Sequence, residues 1–89
     1  MISKNLTILN KLGLHARAAA KLVSLSNNFN SEITLVKDDK SADARSIMKL
    51  LMLSASKGSV LKVNIDGEDQ EQAMNSIEKL FQNGFDEGL

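Results

Sequence analysis

The sequence predicts an α+β fold in which an antiparallel sheet carries helices on one face and meets water on the other. Two patterns carry that reading. Period-two and helix-period segments follow one another in the order strand, helix, strand, strand, helix, strand, helix. Each strand segment is apolar on one side only, whereas strands covered on both faces read as near-continuous apolar runs. At 89 residues the chain suits a single domain, taken as 1–89, large enough for one core and too small for a second.

The elements can be justified in order. In "KNLTIL", Leu6 and Ile8 share one face and Asn5 and Thr7 the other, as in a half-buried strand. From about Ala16 the period lengthens. Ala16, Ala19, Ala20, Val23 and Asn27 fall three or four apart, with Leu22 widening the stripe, which predicts a helix up to "SNNFN". Ile33 and Leu35 alternate with Thr34 and Val36 in "EITLVK". The polar "KDDK" then supplies a tight turn into a short strand at Ser41 to Asp43, so the pair reads as a hairpin. "SIMKLLMLSASKG" predicts a short second helix with Ser46 as N-cap and Gly58 at the stop, since glycine suits the left-handed conformation past a helix end. Leu61, Val63 and Ile65 alternate with Lys62 and Asn64 before the turn "DGED". Asp69 and Gln72 have capping-box spacing, and Ala73, Ile77, Leu80 and Phe81 form the stripe of a third helix ending near Gly84.

Composition removes several function classes. Eleven Lys plus Arg balance eleven Asp plus Glu, so the basic excess that drives binding to phosphate backbones is missing and nucleic acid is not an expected partner. Three Phe with no Trp or Tyr leave few platforms for stacking bases or sugars. The absence of cysteine rules out disulfide frameworks and thiolate metal sites and fits a reducing compartment. No stretch approaches the ~20 apolar residues of a bilayer span. "MISKNLTILNK" lacks the apolar core and cleavage site of a leader, so a cytoplasmic protein with no membrane partner is expected.

The candidate site is the only histidine, His15, which stands between Gly13-Leu14 and the start of the first helix. Its side chain is expected over the unpaired N–H groups of the first turn, where the helix dipole is positive. That field favours the neutral, nucleophilic ring, and the N–H groups of Ala16 and Arg17 can receive an anion. The Arg17 guanidinium adds a planar fork suited to phosphate oxygens. Gly13 permits a positive φ and the close approach of a partner's backbone. Together these features suit a transient phosphohistidine. The plainer alternative is a surface histidine at a helix start. A zinc site lacks ligands, because no cysteine is present and no carboxylates cluster near His15 in sequence. A Ser-His-Asp hydrolase lacks its nucleophile turn and a cleft.

"LGLHARAAAKLV" resembles the active-site segment of the HPr family, the histidine phosphocarriers of the bacterial phosphotransferase system, and "ARSIMKLLMLSASKG" resembles its second-helix segment. The similarity extends over essentially the whole chain. "LFQNGFDE" and "LLMLSASKG" are more similar to the nitrogen-related branch, NPr, than to the sugar-transport branch. The resemblance implies an open-faced sandwich of four antiparallel strands in the order 1-4-2-3 under three helices. It further implies a phosphocarrier with no cofactor or metal of its own and acting as a monomer, more a carrier than a stand-alone enzyme. His15 would accept the phosphoryl group on Nδ1 from enzyme I and pass it to an EIIA-type protein, with Arg17 balancing the phosphate charge. Where the family has proline after His-Ala-Arg, this chain has Ala18, a good helix former that keeps its N–H.

Ile47 to Leu53 leave almost no polar face on the second helix, and a two-turn helix in so small a body cannot be wholly covered. Met48, Leu51 and Met52 are the candidates for an apolar docking patch, because flexible side chains suit more than one partner. The resemblance assigns docking of enzyme I and the acceptors to this helix and the area around the histidine. It also suggests a regulatory Ser46, acted on by a kinase or phosphorylase, from the likeness of Arg45-Ser46-Ile47-Met48 to the family pattern. The alternative function is a binding module that is never phosphorylated and uses the second-helix patch alone.

Overall fold

Seven elements run through residues 1–87, which are the residues described by the structure, a computed structural model. The strands are β1 (Ile2–Thr7), β2 (Glu32–Lys37), β3 (Lys40–Asp43) and β4 (Val60–Asp66). The helices are α1 (Ala16–Ser26), α2 (Ile47–Met52) and α3 (Gln70–Gln82). The sheet order is β1-β4-β2-β3 with every pair antiparallel, the order implied by the family resemblance. Among the described residues no helix is long and apolar enough to cross a membrane.

Register explains the single apolar face. Leu6 pairs with Leu61, Ile33 with Ile65, and Leu35 with both Val63 and Ala42, and all of these are buried. Ser3, Asn5, Thr7, Lys62, Asn64, Thr34 and Ser41 alternate with them and so point to the open face. Lys4, opposite Val63, lies on the helix side of an edge strand and extends to Glu78 of α3, 2.9 Å away.

The first and second helices depart from the sequence reading in instructive ways. On α1 the buried residues are Ala18, Ala19, Leu22 and Ser26, whereas Ala16, Ala20 and Asn27 are exposed and Val23 is half-buried. Consecutive alanines carry no phase, so Leu22 and the partly buried Leu25 and Phe29 set the rotation. The α2 helix stops at Met52, six residues before Gly58. Leu53 and Ser54 donate to Leu50 and Leu51 in a tightened last turn, and Ser54 takes φ +52, so the left-handed stop falls on a serine. Ending there turns Leu50 and Leu53 into the core and frees Ala55 to bond the loop before α1.

The third helix buries Ala73, Met74, Ile77, Leu80 and Phe81, matching the predicted stripe. Its first turn does not form a capping box, since Asp69 makes no cap bond to its own helix. The Asp69 carboxylate instead accepts from the N–H groups of Asn30 (2.8 Å) and Ser31 (3.0 Å) and from the Ser31 hydroxyl. Alongside it, Arg45 Nη2 gathers the carbonyls of Ser26, Phe29 and Ser31 at 3.0, 2.7 and 3.0 Å. The α1–β2 connection is thereby satisfied from an anion on one side and a cation on the other.

The Ser31 hydroxyl, then the Asn30 N–H, hold the Asp69 carboxyl below its ordinary value of 3.8. A carboxyl with a depressed folded pKa contributes stability that is present above the ordinary value and is lost as pH falls through the folded one. Asp69→Asn should therefore melt earlier than wild type near neutral pH and approach it in acid. Thermal melts across that range check this, and parallel curves at every pH would show that the Asp69 charge adds nothing.

Candidate functional site

The loop between β1 and α1 is fixed by backbone bonds before any side-chain chemistry is considered. Ile8 extends the β1–β4 pairing, donating to Ser59 at 2.9 Å and accepting from Gly58 at 2.8 Å. Asn10 then closes a turn: its carbonyl accepts from Gly13 N–H at 3.2 Å and its amide donates to the Gly13 carbonyl at 2.8 Å. Leu14 donates to Ala55 at 2.8 Å. Gly13 has φ +70, and a Cβ there would sit 2.5 Å from the Ala55 oxygen and 2.9 Å from Ser56 Cα. The close approach that glycine permits is thus by the chain's own segment after α2, not by a partner, because the loop must lie against it to bond Ala55.

This bracing delivers His15 to the N-cap of α1 in extended conformation, φ −80 and ψ −179. Its carbonyl accepts from Ala19 at 2.8 Å, while its side chain caps nothing. Helix geometry leaves the N–H groups of Ala16 and Arg17 without i−4 carbonyls. The ring does not simply overhang these groups. Its Nε2 meets the carboxylate of Glu87, 72 residues along the chain, and the two side chains are 29 % and 18 % exposed. The absence of a nearby carboxylate, read from sequence, holds along the chain and fails in space.

Glu87 is carried by a tail that folds back after α3. Phe85 donates to Leu80 at 2.9 Å and Glu87 to Gly84 at 3.1 Å, and the buried Phe85 ring lies 4.9 Å from that of Phe81. Asp86 pairs with Lys21 of α1 at 3.5 Å. Asn10 completes the set, donating to Glu87 Oε1 at 3.0 Å. The bond from His15, then that from Asn10, keep the Glu87 carboxyl below its ordinary value of 4.5, with Arg17 adding a smaller charge effect.

Lys11, Leu12, His15, Ala16, Arg17 and Glu87 line an open depression. It joins an imidazole, two cations and a helix start, an arrangement able to accept an anionic group on the ring and hold its oxygens. Glu87 and Asn10 are the members that sequence reasoning missed. The available signal was Phe81-x-x-x-Phe85 with Gly84 between, the pattern of a chain turned back on its own helix. Among the described residues no group of three His, Cys, Asp or Glu is gathered as a metal site requires.

The other named residues lie elsewhere. Met48 is 72 % exposed and Met52 66 %, Leu51 is also exposed, and Leu50 and Leu53 are buried beneath them. Ile47 and Leu12 are exposed apolar residues too, Leu12 at 69 %, and neither was singled out from sequence. Ser46 caps α2, its hydroxyl accepting from Lys49 N–H at 3.2 Å, outside the depression. Ala18 is fully buried in the core.

Gly13→Ala should destabilise the domain by about 2 kcal/mol or more, combining left-handed strain with the collision at Ala55. Thermal melting checks it, and an unchanged midpoint would show that the loop shifts without cost.

Comparisons with known proteins converge. Residues 2–83 match the family described as PTS HPr component phosphorylation site. The chain is 48 % identical over 87 residues to the phosphocarrier protein HPr of Xylella fastidiosa strain Temecula1, covering 98 % of each. It is 44 % identical over 88 residues to that of Cupriavidus necator, covering 99 % of each. The crystal structure of HPr-C-His from Thermoanaerobacter tengcongensis superposes with a TM-score of 0.95 at 39 % identity, over 100 % of both chains. A histidine loop braced at a helix start on a 1-4-2-3 sheet, with these relatives, means that the chain belongs to the HPr family of phosphocarriers of the phosphotransferase system.

Proposed function

We propose that His15 accepts a phosphoryl group on Nδ1 from the phosphohistidine of enzyme I, itself charged by phosphoenolpyruvate, and passes it to a histidine of an EIIA-type protein. The observation that carries this reading is the ring at the N-cap of α1, tied through Nε2 to Glu87 and opening with Arg17 and Lys11 into one depression. In each transfer a nitrogen–phosphorus bond forms on the acceptor as the donor's breaks, and the donor ring nitrogen keeps the electron pair. Arg17 meets the phosphoryl oxygens, assisted by the N–H groups of Ala16 and Arg17. The protein works in the cytoplasm as a monomer, without a cofactor of its own.

Within this proposal the chain serves the nitrogen-related branch, on the likeness of "LLMLSASKG" and "LFQNGFDE" to that branch. Met48, Leu51 and Met52 dock enzyme I and the acceptor, supported by their exposure, together with Ile47, on a helix that buries Leu50. Ser46 is a regulatory position for a kinase or phosphorylase, placed at the start of that helix.

His15→Ala should lower the melting midpoint only slightly, because the side chain makes no cap bond and loses a single surface contact, to Glu87, and should gain no mass with enzyme I and phosphoenolpyruvate. A gain of one phosphoryl group in the mutant, read by mass spectrometry, would move the acceptor to another residue. Absence of any gain in the wild type would leave the unmodified binding module as the reading.

Ser46→Asp should keep or slightly raise stability, by about 0.3–1 kcal/mol, because a carboxylate is favourable at a helix N-terminus. It should weaken the encounter with enzyme I, since the new charge beside Met48 must be desolvated in the complex. Melts and titration calorimetry separate the two effects. Equal affinity of mutant and wild type would leave Ser46 its capping role alone.

A further inference from the structure

We propose that Glu87 is a positioning residue for His15, holding the ring through Nε2–H and leaving Nδ1 as the bare nitrogen that receives the phosphoryl group. The last clause rests on the phosphocarrier reading; the rest follows from geometry.

The tail is shaped to deliver this carboxylate. Gly84, Phe85 and Asp86 take φ values of +66, +56 and +65 in succession, and at the bulky Phe85 the left-handed region is unfavourable. An unrestrained tail would relax. What holds it is burial of Phe85 against Phe81, the bond from Phe85 N–H to Leu80 and the Lys21–Asp86 pair. The left-handed run returns the chain toward α1 and brings the next residue to the ring of His15.

The carboxylate is also oriented once it arrives. Asn10 is wholly buried, and its amide N–H₂ is committed to two acceptors, the Gly13 carbonyl and Glu87 Oε1, which fixes which way the amide faces. Oε1 is thereby occupied and Oε2 is left for the ring. The same amide therefore ties the histidine loop to the tail. The charged groups around the contact are Lys11 and Arg17 on the loop and first turn and the Lys21–Asp86 pair beside it.

The chemical consequence follows from the hydrogen-bond inventory. An ionised carboxylate only accepts, so a neutral imidazole facing it places its single proton on Nε2. Nδ1 then carries a lone pair and needs no deprotonation before reacting. Its lone pair attacks phosphorus, the donor's nitrogen–phosphorus bond breaks with the electrons remaining on the donor nitrogen, and the Nε2 proton stays in place. The ring bears a positive charge in the product, which the adjacent Glu87 carboxylate balances while Arg17 faces the phosphoryl oxygens. Onward transfer reverses these steps.

The test is ¹⁵N NMR of the His15 ring in the wild type, Glu87→Ala and Glu87→Gln, together with initial rates of phosphoryl gain from enzyme I and phosphoenolpyruvate. In the neutral ring, the wild type should show Nε2 protonated and Nδ1 bare. Glu87→Ala should show a mixture of the two tautomers and a rate lower by roughly tenfold, the scale of losing an orienting partner. Glu87→Gln offers one acceptor oxygen where Asn10 and the ring both need one; with that oxygen on the Asn10 amide, the N–H₂ of the substituted side chain faces Nε2, so the proton should move to Nδ1 and the rate should fall at least as far as in Glu87→Ala. Wild-type nitrogen shifts in Glu87→Ala would overturn the proposal whatever the rate, and a changed tautomer with an unchanged rate would remove its bearing on transfer. If no variant accepts phosphate but the tautomer changes as expected, the phosphocarrier reading fails and the positioning of the ring by Glu87 stands.

Discussion

The constraint on which the rest depends is that β4 is paired on both edges and has one face that must be kept from water. Leu61, Val63 and Ile65 are all buried on that face, each opposite an apolar or edge-reaching partner on β1 or β2. Burying such side chains contributes about 1.5–3 kcal/mol each, and a one-residue slip in register would turn all three to solvent. Both hairpin-free connections, β1 through α1 to β2 and β3 through α2 to β4, must therefore cross over the same face. Three helices on one side are the result, and the start of α1 and the end of α2 meet at the same edge of the layer.

That meeting explains how a rigid site is built from a loop. Leu14 bonds Ala55 because α2 has ended early, and α2 ends early because Leu50 and Leu53 must both face the core. Gly13 is needed where the loop lies against Ala55 and Ser56. His15 is thus oriented through the backbone of its loop, which the packing of α2 sets in place. The tail after α3 reaches the same place by a different cause, the burial of Phe85 on Phe81.

Strand existence and the α3 stripe were legible because branched and large apolar residues alternate or recur without ambiguity, as at Ile33 and Leu35 or Ile77 and Phe81. Phase and ends were less legible. Three consecutive alanines gave α1 no preferred face, and a serine took the left-handed position after α2 that glycine usually takes. His15 and Arg17 could be singled out because they are neighbours in sequence and share one depression. Glu87 could not, since its role comes from a turn of three successive left-handed residues, one of them a phenylalanine that sequence preference argues against. Asp69 was misassigned to a local cap for a related reason: a carboxylate at a helix start serves whichever N–H groups the tertiary fold leaves nearest, and those belong to Asn30 and Ser31.

The charge pattern links the site to the chain as a whole. Eleven cations balance eleven anions, so no long-range field draws an anionic partner and recognition has to be local. Around His15 the balance is kept by direct contacts: Glu87 against the ring, Asn10 against Glu87, and Arg17 near enough to act on the same carboxylate. On the proposed phosphorylation of His15, the incoming group would bring anionic oxygens to a place where one anion is already paired. It is accommodated if the ring takes on positive charge toward Glu87 while Arg17 and the first-turn N–H groups turn to the phosphoryl oxygens. The groups such a rearrangement would call on, the ring, Glu87 and Arg17, all reach solvent, while the loop that carries the ring is held by backbone bonds. Under that proposal a carrier that must give up its group as readily as it takes it would be served by this placement, since the responding side chains lie outside the buried core.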